Sequence, residues 1–194
     1  MKVFHCPGHC GESHGCEYNG IVEKDWVLTF AQYLSDKLAP TCEQYMGRTG
    51  DYKESYKLRA SVAAEIGVDL VIMHHINAIT GADGLPIERI DGLMTFYKPG
   101  DVIGQEVARV MGRCAPESMQ QKKPHYATSP HNWTKRADNC LSAYRDHRIP
   151  VVLVEYGFAT SPNDAEFLQD DSNWVSLFAT VAAGVGRATE LLRA

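Results

Sequence analysis

Apolar and polar positions along this chain switch repeatedly between the two-residue period of a strand and the 3.6-residue period of a helix. Residues 2–5 open with a strand pattern, and a glycine-rich loop spans 11–20. A helix is predicted over 23–38, with Trp26, Phe30, Leu34 and Leu38 at helical spacing and Pro40 to stop it. Residues 41–46 read as a short strand. Residues 56–66 read as a second helix with Leu58, Val62 and Ile66 on one face and Gly67 as its C-terminal cap. Residues 69–75 form the clearest buried strand, because Leu70-Val71-Ile72-Met73 shows no polar alternation and so expects cover on both faces. A loop over 79–90 carries Gly81, Gly84 and Pro86. A strand at 92–97 and a helix at 101–113, with Val102, Val107, Val110 and Met111, come next. Residues 116–148 are weakly patterned, 151–154 form a last buried strand, and 174–192 a closing helix. There is no internal repeat. The order predicts an α/β fold: a single domain over 1–194 whose twisted, mostly parallel, mixed sheet has helices on both faces.

Length and composition narrow the class. With 194 residues the chain is one domain by size, and 44% hydrophobic against 22% charged residues is the composition of a soluble globular protein. No apolar run approaches the roughly 18 residues of a membrane span, so no membrane partner is expected. Lys2-Val3-Phe4 enters a strand at once and leaves no room for a signal peptide, which predicts synthesis in the cytoplasm. A net charge of −5 argues against a broadly basic nucleic-acid surface, and a monomer is expected. Six cysteines, Cys6, Cys10, Cys16, Cys42, Cys114 and Cys140, are read as free thiols. Cys6, Cys10 and Cys16 surround His9, but their spacing matches no metal knuckle, and buried thiols are favoured over a second metal.

The chemistry sits where apolar runs end. Residues 2–5 lead into Pro7-Gly8-His9, residues 68–73 into His74-His75, and residues 151–154 into Glu155; Glu23 opens a helix. Loops beyond the carboxyl ends of the strands form the working crevice of an open α/β sheet, so these groups can meet there. Two imidazoles and two carboxylates suit a hydrolytic Zn²⁺ site with three protein ligands, an open position for water and a separate base. Each residue has a plainer reading. A loop histidine is more often plain surface, and a helix-start carboxylate favours the helix dipole by itself. Spacing leaves open which of His74 and His75 faces the crevice, because successive strand side chains point to opposite faces. Glu155 is harder to explain blandly, since an acid directly after Val151-Val152-Leu153-Val154 is costly if buried without a partner.

On these residues the chain resembles the zinc-dependent N-acetylmuramoyl-L-alanine amidases of the amidase-3 type, a family of bacterial cell-wall hydrolases and phage endolysins. The resemblance runs over residues 3–168. The family's Asp-Pro-Gly-His-Gly-Gly appears as Cys6-Pro7-Gly8-His9-Cys10-Gly11, and its Glu-Lys-Asp helix start is intact at Glu23-Lys24-Asp25. Its threonine-arginine pair is represented by Gly47-Arg48 and its helix arginine by Arg59. Its Ser-Ile-His-Ala-Asn-Ala reads Met73-His74-His75-Ile76-Asn77-Ala78, which selects His75. Its Val-Glu-Leu-Gly-Phe reads Val154-Glu155-Tyr156-Gly157-Phe158, followed by Ser161-Pro162-Asn163-Asp164. The resemblance implies that His9, Glu23 and His75 bind Zn²⁺ and that Glu155 is the catalytic acid/base. It further implies that the substrate is peptidoglycan, cleaved between the lactyl group of N-acetylmuramic acid and L-alanine. Cys6 and Cys10 depart from the family's aspartate and glycine, which alters the surroundings of His9.

The other departure is a long connection over 119–148. It holds six Lys/Arg against two Asp, a net of +4, which leaves −9 for the rest of the chain. Tyr126, Trp133 and Tyr144 lie among these charges, a composition suited to an anionic glycan-peptide. Asn77, Trp133, Lys135 and Arg136 are the candidate substrate contacts. Two other readings compete: a zinc carboxypeptidase or amidohydrolase acting on a small acyl-amino acid, and an inactive amidase fold that only binds wall fragments. Glu155 argues against the second, because a binder has no need of a base. The expected setting is a phage-infected or lysing bacterium, with action on the cell wall after release.

Overall fold

The computed structural model describes residues 1–120, 140–194 and, for backbone alone, 126–127. In chain order come β1 (Lys2–Pro7), a small hairpin of β2 (Glu17–Tyr18) and β3 (Ile21–Val22), α1 (Glu23–Leu38), β4 (Glu43–Met46), α2 (Tyr56–Ile66), β5 (Leu70–Asn77), β6 (Met94–Tyr97) and α3 (Val102–Arg113). Then follow β7 (Tyr126–Ala127), β8 (Val151–Phe158), α4 (Pro162–Gln169) and α5 (Trp174–Arg193). The main sheet has the order β4-β1-β5-β8-β6-β7. Its first four strands are parallel, β6 runs antiparallel to β8, and β7 runs parallel to β6. The sheet is therefore mostly parallel and mixed, as expected.

Alternation along the central strands builds two cores. Leu70 and Ile72 of β5, with Val152 and Val154 of β8, pack with Phe30 and Leu34 of α1 and Leu177 and Val181 of α5. Val71 and Met73, with Val151 and Leu153, face the opposite side and pack with Ala60 and Ala63 of α2 and with Leu141 and Tyr144. Both faces are covered, which is why these strands read as unbroken apolar runs. The segment Asp171–Arg193 is long and apolar enough by composition to cross a membrane, contrary to the expectation that no stretch came near one. Its Leu177, Val181, Val185 and Ala188 are buried in the first core.

Two further expectations need correction. In α2 the buried residues are Arg59, Ala60 and Ala63, whereas Leu58 is 52% and Val62 36% exposed. Small alanines let the helix approach the sheet closely, and Arg59 is drawn inward by the Pro7 carbonyl, which it reaches at 2.6 Å. Glu155 lies within β8 rather than beyond it. The strand continues to Phe158 because its backbone keeps pairing with β5, His75 with Glu155 and Asn77 with Phe158, around an irregularity between His75 and Asn77. The helix α4 had not been expected as an element. Its start is written in Ser161-Pro162, where the serine side chain accepts from Asp164 N and proline takes the first turn.

Candidate metal centre and its pocket

Each chemical side chain is placed by a local rule. His9 ends the turn after β1 with φ 54°, a left-handed conformation uncommon outside glycine. Its backbone N–H donates to the Tyr56 hydroxyl at 2.8 Å, and its Nδ1 lies 2.9 Å from Ser13 Oγ. Glu23 is the first residue of α1 and is nearly fully buried. One of its oxygens accepts from Cys16 N at 2.9 Å and the other from Ile76 N at 3.1 Å. His75 sits on β5 in the row of Val71 and Met73, so strand parity aims it at the same side as Leu153 and Glu155 of β8.

These placements converge. His9 Nε2 and His75 Nδ1 stand 3.2 and 3.0 Å from one oxygen of Glu23, and the candidate ligand atoms of the three residues all lie within 4.8 Å of one another. Burial alone would raise the Glu23 carboxyl; hydrogen bonds from His75 and His9, together with their charge, outweigh it and hold the group well below the usual carboxylate range. Two imidazole nitrogens and a carboxylate at this spacing are a donor set suited to Zn²⁺. The backbone around them is shaped to match. A methyl group built on Gly8 would stand 2.6 Å from His75 Nδ1, and one on Gly15, where φ is +75°, 2.7 Å from His9 Cδ2. The loops touch the ligand set at positions where only hydrogen fits.

Two buried arginines hold these loops from beneath. Arg48 donates to the carbonyls of Gly8 (3.0 Å) and Lys24, and Arg59 to that of Pro7, while Glu54 neutralises Arg59 at 3.2 Å. Glu155 lines the same cavity of about 710 Å³ as His9, Glu23, His75, Asn77 and Tyr56. Asn77 Oδ1 accepts from Ala78 N at 2.9 Å. Cys16 and Cys140 also face this cavity, and burial, reinforced by acidic neighbours that include Glu155, pushes both thiols up, Cys140 to about 12. Among the described residues the cysteines belong to no metal-competent group and all six are free. Trp133, Lys135 and Arg136 lie outside the described residues.

The other histidine of the pair has a different place. His74 faces the opposite side, fully buried, with Nδ1 2.8 Å from Tyr156 Oη and Nε2 2.9 Å from His5 Nδ1; His5 Nε2 is 2.7 Å from Gln44 Oε1. Burial lowers both imidazoles, His5 to a pKa of about 4. Sequence reasoning missed Ser13 and Tyr56 at the centre. Their only trace is a serine four residues beyond His9 and a tyrosine opening α2.

An α/β sheet that gathers a His-Glu-His donor set and a further glutamate at its carboxyl edge defines the class of candidate metal-dependent hydrolases. The chain belongs to the amidase-3 family, N-acetylmuramoyl-L-alanine amidases, whose profile matches residues 3–187. It is 26% identical over 196 residues to the N-acetylmuramoyl-L-alanine amidase CwlM of Bacillus licheniformis, covering 98% of this chain and 70% of that protein. It is 29% identical over 167 residues to the endolysin of Bacillus phage SPP1, covering 85% of this chain and 57% of the endolysin. The catalytic domain of the amidase CwlV from Bacillus (Paenibacillus) polymyxa var. colistinus superposes with a TM-score of 0.77 at 20% identity, over 99% of this chain and 98% of that one.

Proposed function

We propose that this cell-wall amidase is zinc-dependent and cleaves the amide between the lactyl group of N-acetylmuramic acid and L-alanine of the stem peptide. The observation that carries the reading is the meeting of His9, Glu23 and His75 within 4.8 Å, in one cavity with Glu155, in a chain of this family. His9, Glu23 and His75 would hold the ion. Zinc at these ligands supplies a Lewis acid that lowers the pKa of water toward roughly 7 and polarises a carbonyl.

The remaining work falls to the protein. The Glu155 carboxylate accepts the proton of the attacking water and delivers it to the departing amide nitrogen, so one group serves as base and then acid. Its register opposite His75 on the neighbouring strand supports this role. Glu23, held ionised, keeps its negative charge for the cation. Asn77 borders the cavity as a substrate contact, and residues 128–139 supply Trp133, Lys135 and Arg136 to bind the glycan-peptide. The phage endolysin among the relatives supports a setting in wall lysis.

The test is incubation with purified peptidoglycan, with and without chelator, together with elemental analysis of the protein. The expected result is one zinc per chain and new L-alanine amino termini without new reducing sugar ends, abolished by chelation and restored by zinc. New reducing ends would make the protein a glycosidase. Release of the terminal residue from small acyl-amino acids, with intact walls untouched, would favour the carboxypeptidase or amidohydrolase reading. Wall binding without any cleavage would favour the inactive binder.

A further inference from the structure

Among the described residues that line the cavity, Tyr56 presents a hydroxyl that neither the proposed ligand set nor the proposed base uses. Its ring is held on two sides. The Arg59 guanidinium lies 5.1 Å from the ring centroid, and the His75 ring stands at 6.4 Å, inclined by 33°. Its oxygen accepts the His9 N–H at 2.8 Å. A phenol oxygen carries one O–H and two lone pairs, so this bond leaves the proton unspent. Among the described residues no acceptor stands within hydrogen-bond reach of that proton.

The sheet order places this donor relative to the base. Strand β5 lies between β1 and β8. His9 follows β1, and Glu155 sits in β8 opposite His75. Tyr56, bonded to His9, therefore flanks the centre from the β1 side and Glu155 from the β8 side. A base on one side and a fixed neutral donor on the other suits water addition to a carbonyl, the donor adding to whatever polarisation a metal supplies. The water's proton leaves toward the base while negative charge gathers on the carbonyl oxygen.

We propose that Tyr56 is a further catalytic residue, whose O–H donates a hydrogen bond to the carbonyl oxygen of the scissile amide and to the oxyanion it becomes. The proposal rests on amide hydrolysis as the reaction. No proton is transferred from Tyr56: the water's proton passes to Glu155 and then to the departing nitrogen. Because His9 N–H, Arg59 and His75 fix the phenol before substrate arrives, little reorganisation is needed as charge develops. The competing role is purely structural, with Tyr56 only anchoring the left-handed turn at His9.

The experiment compares wild type, Tyr56→Phe and Ser13→Ala in three measurements. These are zinc affinity by chelator competition, kcat and KM on a soluble muramoyl-peptide, and affinity for a phosphinate analogue whose tetrahedral oxyanion replaces the scissile carbonyl. Tyr56→Phe keeps the ring on Arg59 and His75. It loses the acceptor of the His9 N–H, so zinc affinity is expected to fall by no more than about tenfold; at saturating zinc KM is nearly unchanged, with kcat and phosphinate affinity both lowered about 10²–10³-fold. Ser13→Ala removes the partner of His9 Nδ1 and spares the phenol, so it should weaken zinc binding about 10–100-fold while keeping the preference for phosphinate over substrate. A Phe variant that binds zinc poorly and regains kcat at saturating zinc overturns the proposal in favour of the anchoring role. An active wild type with an unimpaired Phe variant refutes the Tyr56 assignment alone. A wild type that releases no peptides with L-alanine at the amino terminus refutes the underlying reaction, and this proposal with it.

Discussion

Replacing Gly15 with alanine isolates how closely the loop before α1 is fitted to the metal centre. Gly15 has φ +75°, and a methyl there would stand 2.7 Å from His9 Cδ2 and 2.8 Å from Glu23 Cδ, with Glu23 Oε2 closer still. Ordinary contact begins near 3.4 Å, so Glu23 or the loop must yield by more than about 0.7 Å. Neither can do so without loss. Glu23 is tied to Cys16 N, Ile76 N and both imidazoles, and lifting the loop breaks the first of these bonds. The left-handed conformation adds about 1–2 kcal/mol for alanine. Disturbing the immediate surroundings of metal ligands typically costs 10–100-fold in affinity, or about 1.4–2.8 kcal/mol. Gly67→Ala is the control: φ is +68°, and nothing lies within 4 Å of the added methyl, so it carries the backbone strain without the crowding. Urea unfolding of the metal-free proteins should show Gly67→Ala destabilised by about 1–2 kcal/mol and Gly15→Ala by at least as much, since its crowding adds to the strain. Zinc titration against a competing chelator should show a loss only for Gly15→Ala. Equal zinc affinities in the two variants would refute the reasoning.

Glu155→Gln should retain one zinc and lose about 10²–10⁴-fold in turnover, because an amide cannot accept the water proton; near-normal wall lysis would reassign the residue to a structural role. Replacing Cys6, Cys10 and Cys16 together with Ser or Ala should leave zinc stoichiometry at one, measured by elemental analysis, and loss of the metal would revive a thiolate site. Acid should weaken the fold through His5: its pKa is held at about 4 against an ordinary 6.5, so the stability it contributes, about 3 kcal/mol, is complete above pH 6.5 and lost as pH falls through 4. Asp164, raised by burial to about 6, works in the opposite sense as pH falls, so urea unfolding between pH 7.5 and 4 in an Asp164→Asn background is the measurement, and a flat profile there would sink the prediction.

The parts of this protein that were legible in the sequence are those governed by short-range rules. The bounds of α1 and α2 follow from helical spacing, Pro40 and the left-handed Gly67, and the structure reproduces them. The central strands were visible because cover on both faces leaves β5 and β8 without polar alternation. Strand ends were not, because they depend on a partner: β8 runs on through Glu155 to Phe158 only because β5 is there to pair with it. The inward face of α2 was misread for a similar reason. Leu58 and Val62 are the apolar residues, but the face that turns inward is set by the Pro7 carbonyl, an acceptor that Arg59 reaches 52 residues away in sequence. At the centre, His9, Glu23, His75 and Glu155 stood out as residue types in telling places. Ser13 and Tyr56 did not, since a serine and a tyrosine carry no signal until the fold brings them to His9.

The adjacent histidines of β5 show how one strand serves both the site and the sheet. His75 lies in the row of Val71 and Met73 and meets Glu23, whereas His74 lies in the row of Leu70 and Ile72 and is buried on the far side. The tautomers there are fixed in sequence. Gln44 Nε2 donates to Cys42 O, so Gln44 Oε1 can only accept, and His5 Nε2 must carry a proton. His5 Nδ1 then accepts from His74 Nε2–H, and His74 Nδ1 accepts from the Tyr156 hydroxyl. This chain of neutral groups crosses β8, β5, β1 and β4 in one direction, and the burial that lowers both imidazoles keeps it neutral. Three of those strands position the centre: β1 leads to His9, β5 carries His75 and β8 carries Glu155. Side-chain bonds thus fix the strands laterally behind the groups they present in front. Twice the two tasks fall to consecutive residues, His74 with His75 and Glu155 with Tyr156, because alternation along a strand sends neighbours to opposite faces.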